Sequence, residues 1–142
     1  MANIVPDSFK TDLLEGTFDF GTSGSTFKLA LYTDISGFST STTAYTTTNE
    51  VSSSGTSYTA GGNTLTNNGV AISSNTAYVD FADLTFSSVT LTADSALIYK
   101  DTTNEAVLVL DFGGDKTATN GDFVIQFPAA DATNAIIRLG DA

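Results

Sequence analysis

Apolar residues alternate with polar ones through most of this chain, which is the period of a β-strand with one buried face. In residues 26–33, Phe27, Leu29 and Leu31 share a face; in residues 76–81, Ala77, Val79 and Phe81 do. From Leu84 the alternation runs to Phe86, slips by one residue at Ser87-Ser88, and resumes at Val89 and Leu91. Such a slip predicts a β-bulge or a strand break. Residues 95–100 and 106–112 read as two strands joined by Asp-Thr-Thr-Asn-Glu, a natural hairpin connection. Ala106 to Leu110 is apolar at every position, which predicts a central strand covered on both faces. Residues 122–127 set Phe123, Ile125 and Phe127 on one side, and residues 134–139 set Ala135, Ile137 and Leu139 in register.

The N-terminal segment has a different period. Val5, Phe9 and Leu13 recur every four residues, with Leu14 beside them. Pro6 suits a first helical position, Asp7 suits the positive helix end, and Gly16 suits the residue just past the last turn. These predict an amphipathic helix from Pro6 to Glu15, with one face packed on its own domain or on a neighbouring chain. The middle, residues 36–75, is dominated by Ser, Thr, Asn and Gly. Its apolar anchors, Phe38, Tyr45, Val51, Tyr58, Leu65, Val70 and Ile72, recur about every six or seven residues. That spacing favours an ordered excursion over a disordered linker. Short strands are expected around Tyr45 and Tyr58 and at Val70 to Ile72. The expected architecture is all-β. It is one antiparallel β-sandwich domain, or a partly open barrel, over residues 1–142. Residues 1–16 form its helical segment, and residues 36–75 form an edge, a flap or an extended arm.

Composition agrees with the pattern. Ser and Thr together make 39 of 142 residues, and Thr suits a half-exposed pleated surface. Only 15 % of residues are charged, against about 25 % in a typical soluble domain. Sixteen acids and five scattered bases give a net charge of −11, so phosphate backbones and anionic membranes should repel the chain. No apolar run approaches the ~20 residues of a membrane helix. The start, Met-Ala-Asn-Ile-Val-Pro-Asp-Ser-Phe-Lys, lacks the basic and apolar regions of a secretory signal, so none is expected. With no Cys and no His, disulfides, thiolate and imidazole catalysis and the usual zinc sites are excluded.

The remaining candidates for chemistry are weak. Residues 57–69, SYTAGGNTLTNNG, do not match a P-loop, lack its Lys and precede no helix. Gly61-Gly62 and Asn68-Gly69 read instead as two-residue hairpin turns. Asp111 to Asp115, DFGGD, carries three letters of a kinase motif without the rest of that machinery. Asp111, Asp115, Asn120 and Asp122 are expected around one loop, where an irregular calcium site stays open, although their spacing is not that of the twelve-residue calcium loop. No spacing singles out a glycosidase pair among the sixteen acids. No enzyme activity and no cofactor are expected.

Several stretches carry a resemblance. The helix segment MAN…SFKTDLLEG leads into FKLALYT, then YTAGGNTL, VDFADLTFSSVTLTADSALIYKDT, VLVLDFGGDKTATNGDFVIQFP and AIIRL. Together they resemble a family of small structural proteins of tailed bacteriophages, over nearly the whole chain. The resemblance implies a virion protein, foremost a capsid decoration or cement protein on the outer capsid surface. Such a protein is made in the host cytoplasm, binds the major capsid protein and itself, with a trimer favoured, and bridges neighbouring capsomers. The alternative it leaves is a tail- or fibre-associated module that binds a receptor or carbohydrate. Under either reading Phe9, Leu13 and Leu14 are expected as interface anchors if the helix docks on a neighbour, and Phe38, Tyr45 and Tyr58 if the excursion is an arm. If the Gly-rich stretch is a turn, replacing both Gly61 and Gly62 by Ala should destabilise the fold or its assembly and abolish no ligand binding. Thermal unfolding together with phosphate titration checks this, and a phosphate affinity lost in the double variant would contradict it.

Overall fold

The computed structural model describes residues 2–140 and consists of two antiparallel sheets and one short helix. Helix α1 spans Asp7–Leu14. The strands are β1 (Phe27–Tyr32), β2 (Asn63–Thr64), β3 (Asn67–Ser73), β4 (Thr76–Phe81), β5 (Leu84–Lys100), β6 (Ala106–Ile125) and β7 (Ile137–Leu139). The main sheet has the order β2-β1-β5-β6 and the small sheet β3-β4-β7. The all-β sandwich is therefore present, with the strand faces in the expected phase.

Helix α1 begins with Pro6 as its extended N-cap and closes where Gly16 was expected to stop it. The Thr17 N–H donates to the Asp12 carbonyl and the Gly16 N–H to that of Leu13, which satisfies the last carbonyls in a Schellman arrangement. Phe9 carries the inner face into a run of rings. It lies 5.2 Å from Phe18, and Phe20 stacks on Phe27 at 4.7 Å, which meets Phe81 edge-on at 5.9 Å. Offset and edge-on pairs add to the stabilisation from area burial alone.

The hairpin β5–β6 is the backbone of the molecule. Four expected strands merge into two long ones, and each change of phase proves to be a bulge. Phe86 pairs with Phe123 and Val89 with Gly121, so Ser87 and Ser88 face Asp122 alone, with Ser88 left-handed at φ 55°. Ala93 pairs with Lys116 and Ser95 with Asp111, so Phe112 to Asp115 bulge out opposite Asp94. The expectation of a loop from Asp111 to Asp122 is thus corrected. A strand continues through it, because the bulge absorbs the glycines and restores the ladder at Lys116.

Ala106 to Leu110 is buried on both faces as expected, yet β6 is an edge strand of its sheet, not a central one. Its outer side is closed by other means. Ile4 exchanges two 2.9 Å hydrogen bonds with Val109, and residues 43–45 bond to Asn104 and Ala106. The outer side of β1 is closed likewise, by β2 and by Asn49 to Val51. The excursion covers the second face of the main sheet around β1, Leu97 to Tyr99 and Ala106 to Val109. Phe38 and half-buried Tyr45 pack with Ala30, Tyr32, Leu97, Tyr99 and Val109, while Val51, Tyr58 and Leu65 turn into the core between the sheets. No strand forms around Tyr45 or Tyr58; single bridges at Ala44 and Glu50 take their place. Val70 and Ile72 do lie in a strand, β3, but both are exposed.

The expected hairpin turns are relocated. The β3–β4 turn is Ser74-Asn75, both left-handed, which is the geometry a two-residue hairpin of this twist requires. Asn68-Gly69 instead forms a bulge at the start of β3. Gly61 and Gly62 do turn the chain, with φ of 89° and 76°, but Gly62 has a second reason to be glycine. A Cβ there would lie 1.8 Å from the Leu29 carbonyl oxygen, whereas one at Gly61 would meet side-chain ends, the Tyr99 hydroxyl at 3.2 Å and Lys28 Nζ at 3.6 Å. Gly62→Ala alone is therefore expected to carry most of the loss in the double variant, on the order of 3 kcal/mol, and Gly61→Ala about 1 kcal/mol, by chemical denaturation.

Candidate functional site

Glu50 gathers the excursion to the main sheet. Its Oε1 accepts from the Tyr58 hydroxyl at 2.8 Å and from the Gly61 N–H at 2.6 Å. Its Oε2 accepts from the Tyr45 hydroxyl at 2.6 Å. Tyr58 Oη in turn accepts from the Leu31 N–H at 3.0 Å, and the Tyr99 hydroxyl donates to the Gly61 carbonyl at 2.7 Å. The Tyr45 and Tyr99 rings stack at 4.7 Å. In residues 57–62 the N–H groups of Tyr58, Gly61 and Gly62 all bond inside the chain, so the glycine pair turns neither of its own N–H groups to an outside anion. Burial first, and the Glu50 charge with it, raises Tyr32, Tyr45 and Tyr58 well above the ordinary tyrosine value and pushes Tyr99 up to about 12. A neutral tyrosine hydroxyl donating to a carboxylate is a structural tie.

The acidic residues expected around a loop are strung along β6. The Asn120 side chain bonds with Thr90, and Asp122 accepts from the Ser88 N–H at 3.3 Å. The Gly113 N–H on its carboxylate holds Asp111 below the usual range. Among the described residues no three acids gather in a way that could hold a metal ion. The bend at Phe112 to Asp115 does open a cleft of about 520 Å³, lined among others by Asn3, Asp111, Phe112, Lys116, Asp122 and Phe127.

The expected anchors divide. Phe9, Phe38 and Tyr58 are buried in this chain, Leu13 packs partly against the core, and Tyr45 is half-buried on Tyr99. Their side chains already have partners, so any anchor presented to a neighbour must be sought elsewhere. Leu14, at the helix end, is 82 % exposed.

The small sheet holds exposed aliphatic side chains that were not among the expected interface anchors. Ile72 pairs with Ala77 and Ala77 with Leu139, so the three form a cross-strand row. Val70 pairs with Val79 and Val79 with Ile137 in the next row. Val79 is buried, yet on the same face Ile72 is 73 %, Leu139 61 % and Val70 56 % exposed. The inward face of the small sheet thus extends past the end of the core. No signal in the sequence separates these residues from core residues, because their alternation is that of a buried face. Comparison with models of protein families, with curated proteins and with solved structures found no match.

Removing the Glu50 carboxylate leaves two hydroxyls and one N–H without their acceptor. Glu50→Ala is expected to cost about 2–4 kcal/mol and Glu50→Gln about half that, read from denaturant midpoints. The tyrosines give a pH signature. Their protons are held more tightly in the folded chain than in the unfolded one, which releases them near pH ~10. Stability should be intact below that pH and fall as pH rises toward 12 and above, with tyrosinate absorbance appearing together with unfolding.

Proposed function

We propose that this chain is a non-enzymatic structural protein of a tailed-phage virion, a capsid decoration or cement protein that binds the outside of the major capsid shell and bridges neighbouring capsomers. The resemblance of its segments to that family motivates the reading. The observation that carries it is the uncovered aliphatic row on the small sheet of a chain with net charge −11. Exposed, contiguous aliphatic side chains on an acidic body favour a protein partner, since nucleic acid and anionic lipid are repelled by the charge. A fold whose polar groups are tied into its own scaffold suits a part that adds buried area to an assembly rather than one that turns over a substrate. The cleft beside the β6 bend favours the second reading, a tail or fibre module that holds a receptor or carbohydrate.

Copy number in purified particles separates the two. Quantitative mass spectrometry against the major capsid protein should give a ratio near one to one, or one set of copies per capsomer junction. A few copies per hundred capsid subunits would contradict decoration and favour the tail module.

A further inference from the structure

The main sheet is closed along β1 and along Ala106 to Leu110 of β6. Farther on, β6 is interrupted by a wide bulge and carries Asp115, Lys116 and Asp122. The β3 edge of the small sheet, by contrast, has no strand partner among the described residues. At the start of β3, the Asn67 side chain is tied to the Phe20 carbonyl at 2.9 Å. Beyond it, Val70, Ala71, Ile72 and Ser73 are all exposed, and their register partners all lie in β4. This stretch carries none of the devices that usually protect an edge: it has no charge, no Pro and no bulge. Its setting is neutral as well. No charged residue occurs between Glu50 and Asp80, so all of β2 and β3 and most of β4 are uncharged in a chain of net −11. Two copies of so acidic a protein repel each other over most approaches, and this edge is where they can meet without opposing like charges.

An antiparallel pairing of a strand with its own copy is self-complementary across a two-fold axis. We propose that the β3 edge pairs in this way with the β3 edge of a second copy, making a six-stranded sheet in the order β7-β4-β3-β3-β4-β7. The side chains select the register. With Ala71 on the axis, Val70 of each copy lies opposite Ile72 of the other, on the same face. The Ile72–Ala77–Leu139 row and the Val70–Val79–Ile137 row then each continue across the junction. Four free residues give a short junction, about 14 Å of strand at the usual rise. It sits at the small end of protein interfaces, so the dimer should depend on concentration and be favoured where copies are crowded. The inference holds whether or not the chain belongs to a virion.

The isolated full chain suffices for the test, so its failure and that of the decoration reading are distinguishable. Sedimentation equilibrium over a wide concentration range should show a monomer–dimer equilibrium. Ile72→Lys puts a like charge from each copy beside the axis and should weaken the dimer at least about tenfold, with an unchanged circular dichroism spectrum. The chain has no Cys, so Ala71→Cys introduces a single thiol. Directly opposed Cβ atoms lie about 4.5–5.5 Å apart, which a small adjustment brings within disulfide reach. Mild oxidation should therefore link Ala71→Cys into a covalent dimer and leave Thr117→Cys, on the exposed face of β6, unlinked. A monomer at every concentration, a trimer, a dimer indifferent to Ile72→Lys, or equal cross-linking at both positions would overturn the proposal.

Discussion

One carboxylate holds the polar third of this chain on its sheet. Residues 36–75 have few apolar anchors and could not bury enough surface to order themselves. Glu50 supplies what burial lacks. It sits where the chain bridges to Tyr32 on the edge of β1, and its two oxygens reach two tyrosines and the Gly61 N–H. Each of those partners lies at a different point of the excursion, so a single group fixes three positions at once. The arrangement depends on the close approach at Gly62, since any side chain there would push the turn off β1 and remove the Gly61 N–H from the carboxylate.

With the excursion in place, the main sheet is covered on both faces where β1 lies beside residues 95–100 and 106–110, and its edges are closed along that part. Phe38 and Tyr45 cover one face, the small sheet and α1 cover the other, and residues 49–51, 43–45 and Ile4 finish the edges. The small sheet gathers three exposed aliphatic side chains, Val70, Ile72 and Leu139, beside the open backbone of β3. An acidic scaffold with a neutral, unprotected sheet edge is suited to assembly, and the proposed decoration of a shell and pairing of copies are two uses of that property.

Much of the scaffold was legible from residue pattern. The strand faces of β1, β4, β5 and the C-terminal part of β6, the slip at Ser87-Ser88 and the stop at Gly16 all follow from local period and turn chemistry. The candidate anchors were less legible. Phe9, Phe38 and Tyr58 look the same in a list of apolar residues whether they meet their own core or a partner, and only the packing distinguishes them. Ile72 and Leu139 fail in the opposite sense. Their alternation is that of a buried face, but the sheet outruns the core beneath it.

What the sequence determined by itself is the class of the molecule: all-β, acidic, without Cys or His, and with one helix and one long polar excursion. These follow from side-chain chemistry and from periods of two and four, which act over a few residues. Tertiary structure decided the rest: that Ala106 to Leu110 lie on an edge strand yet are buried, that the excursion is a cover and not an arm, that Gly62 must be glycine, and that Val70, Ile72 and Leu139 of the small sheet are left exposed. Each of these depends on which distant segments come to lie side by side. Glu50 and Gly61 are eleven residues apart, and Ile4 and Val109 are far more distant along the chain, so no local period could encode their meeting.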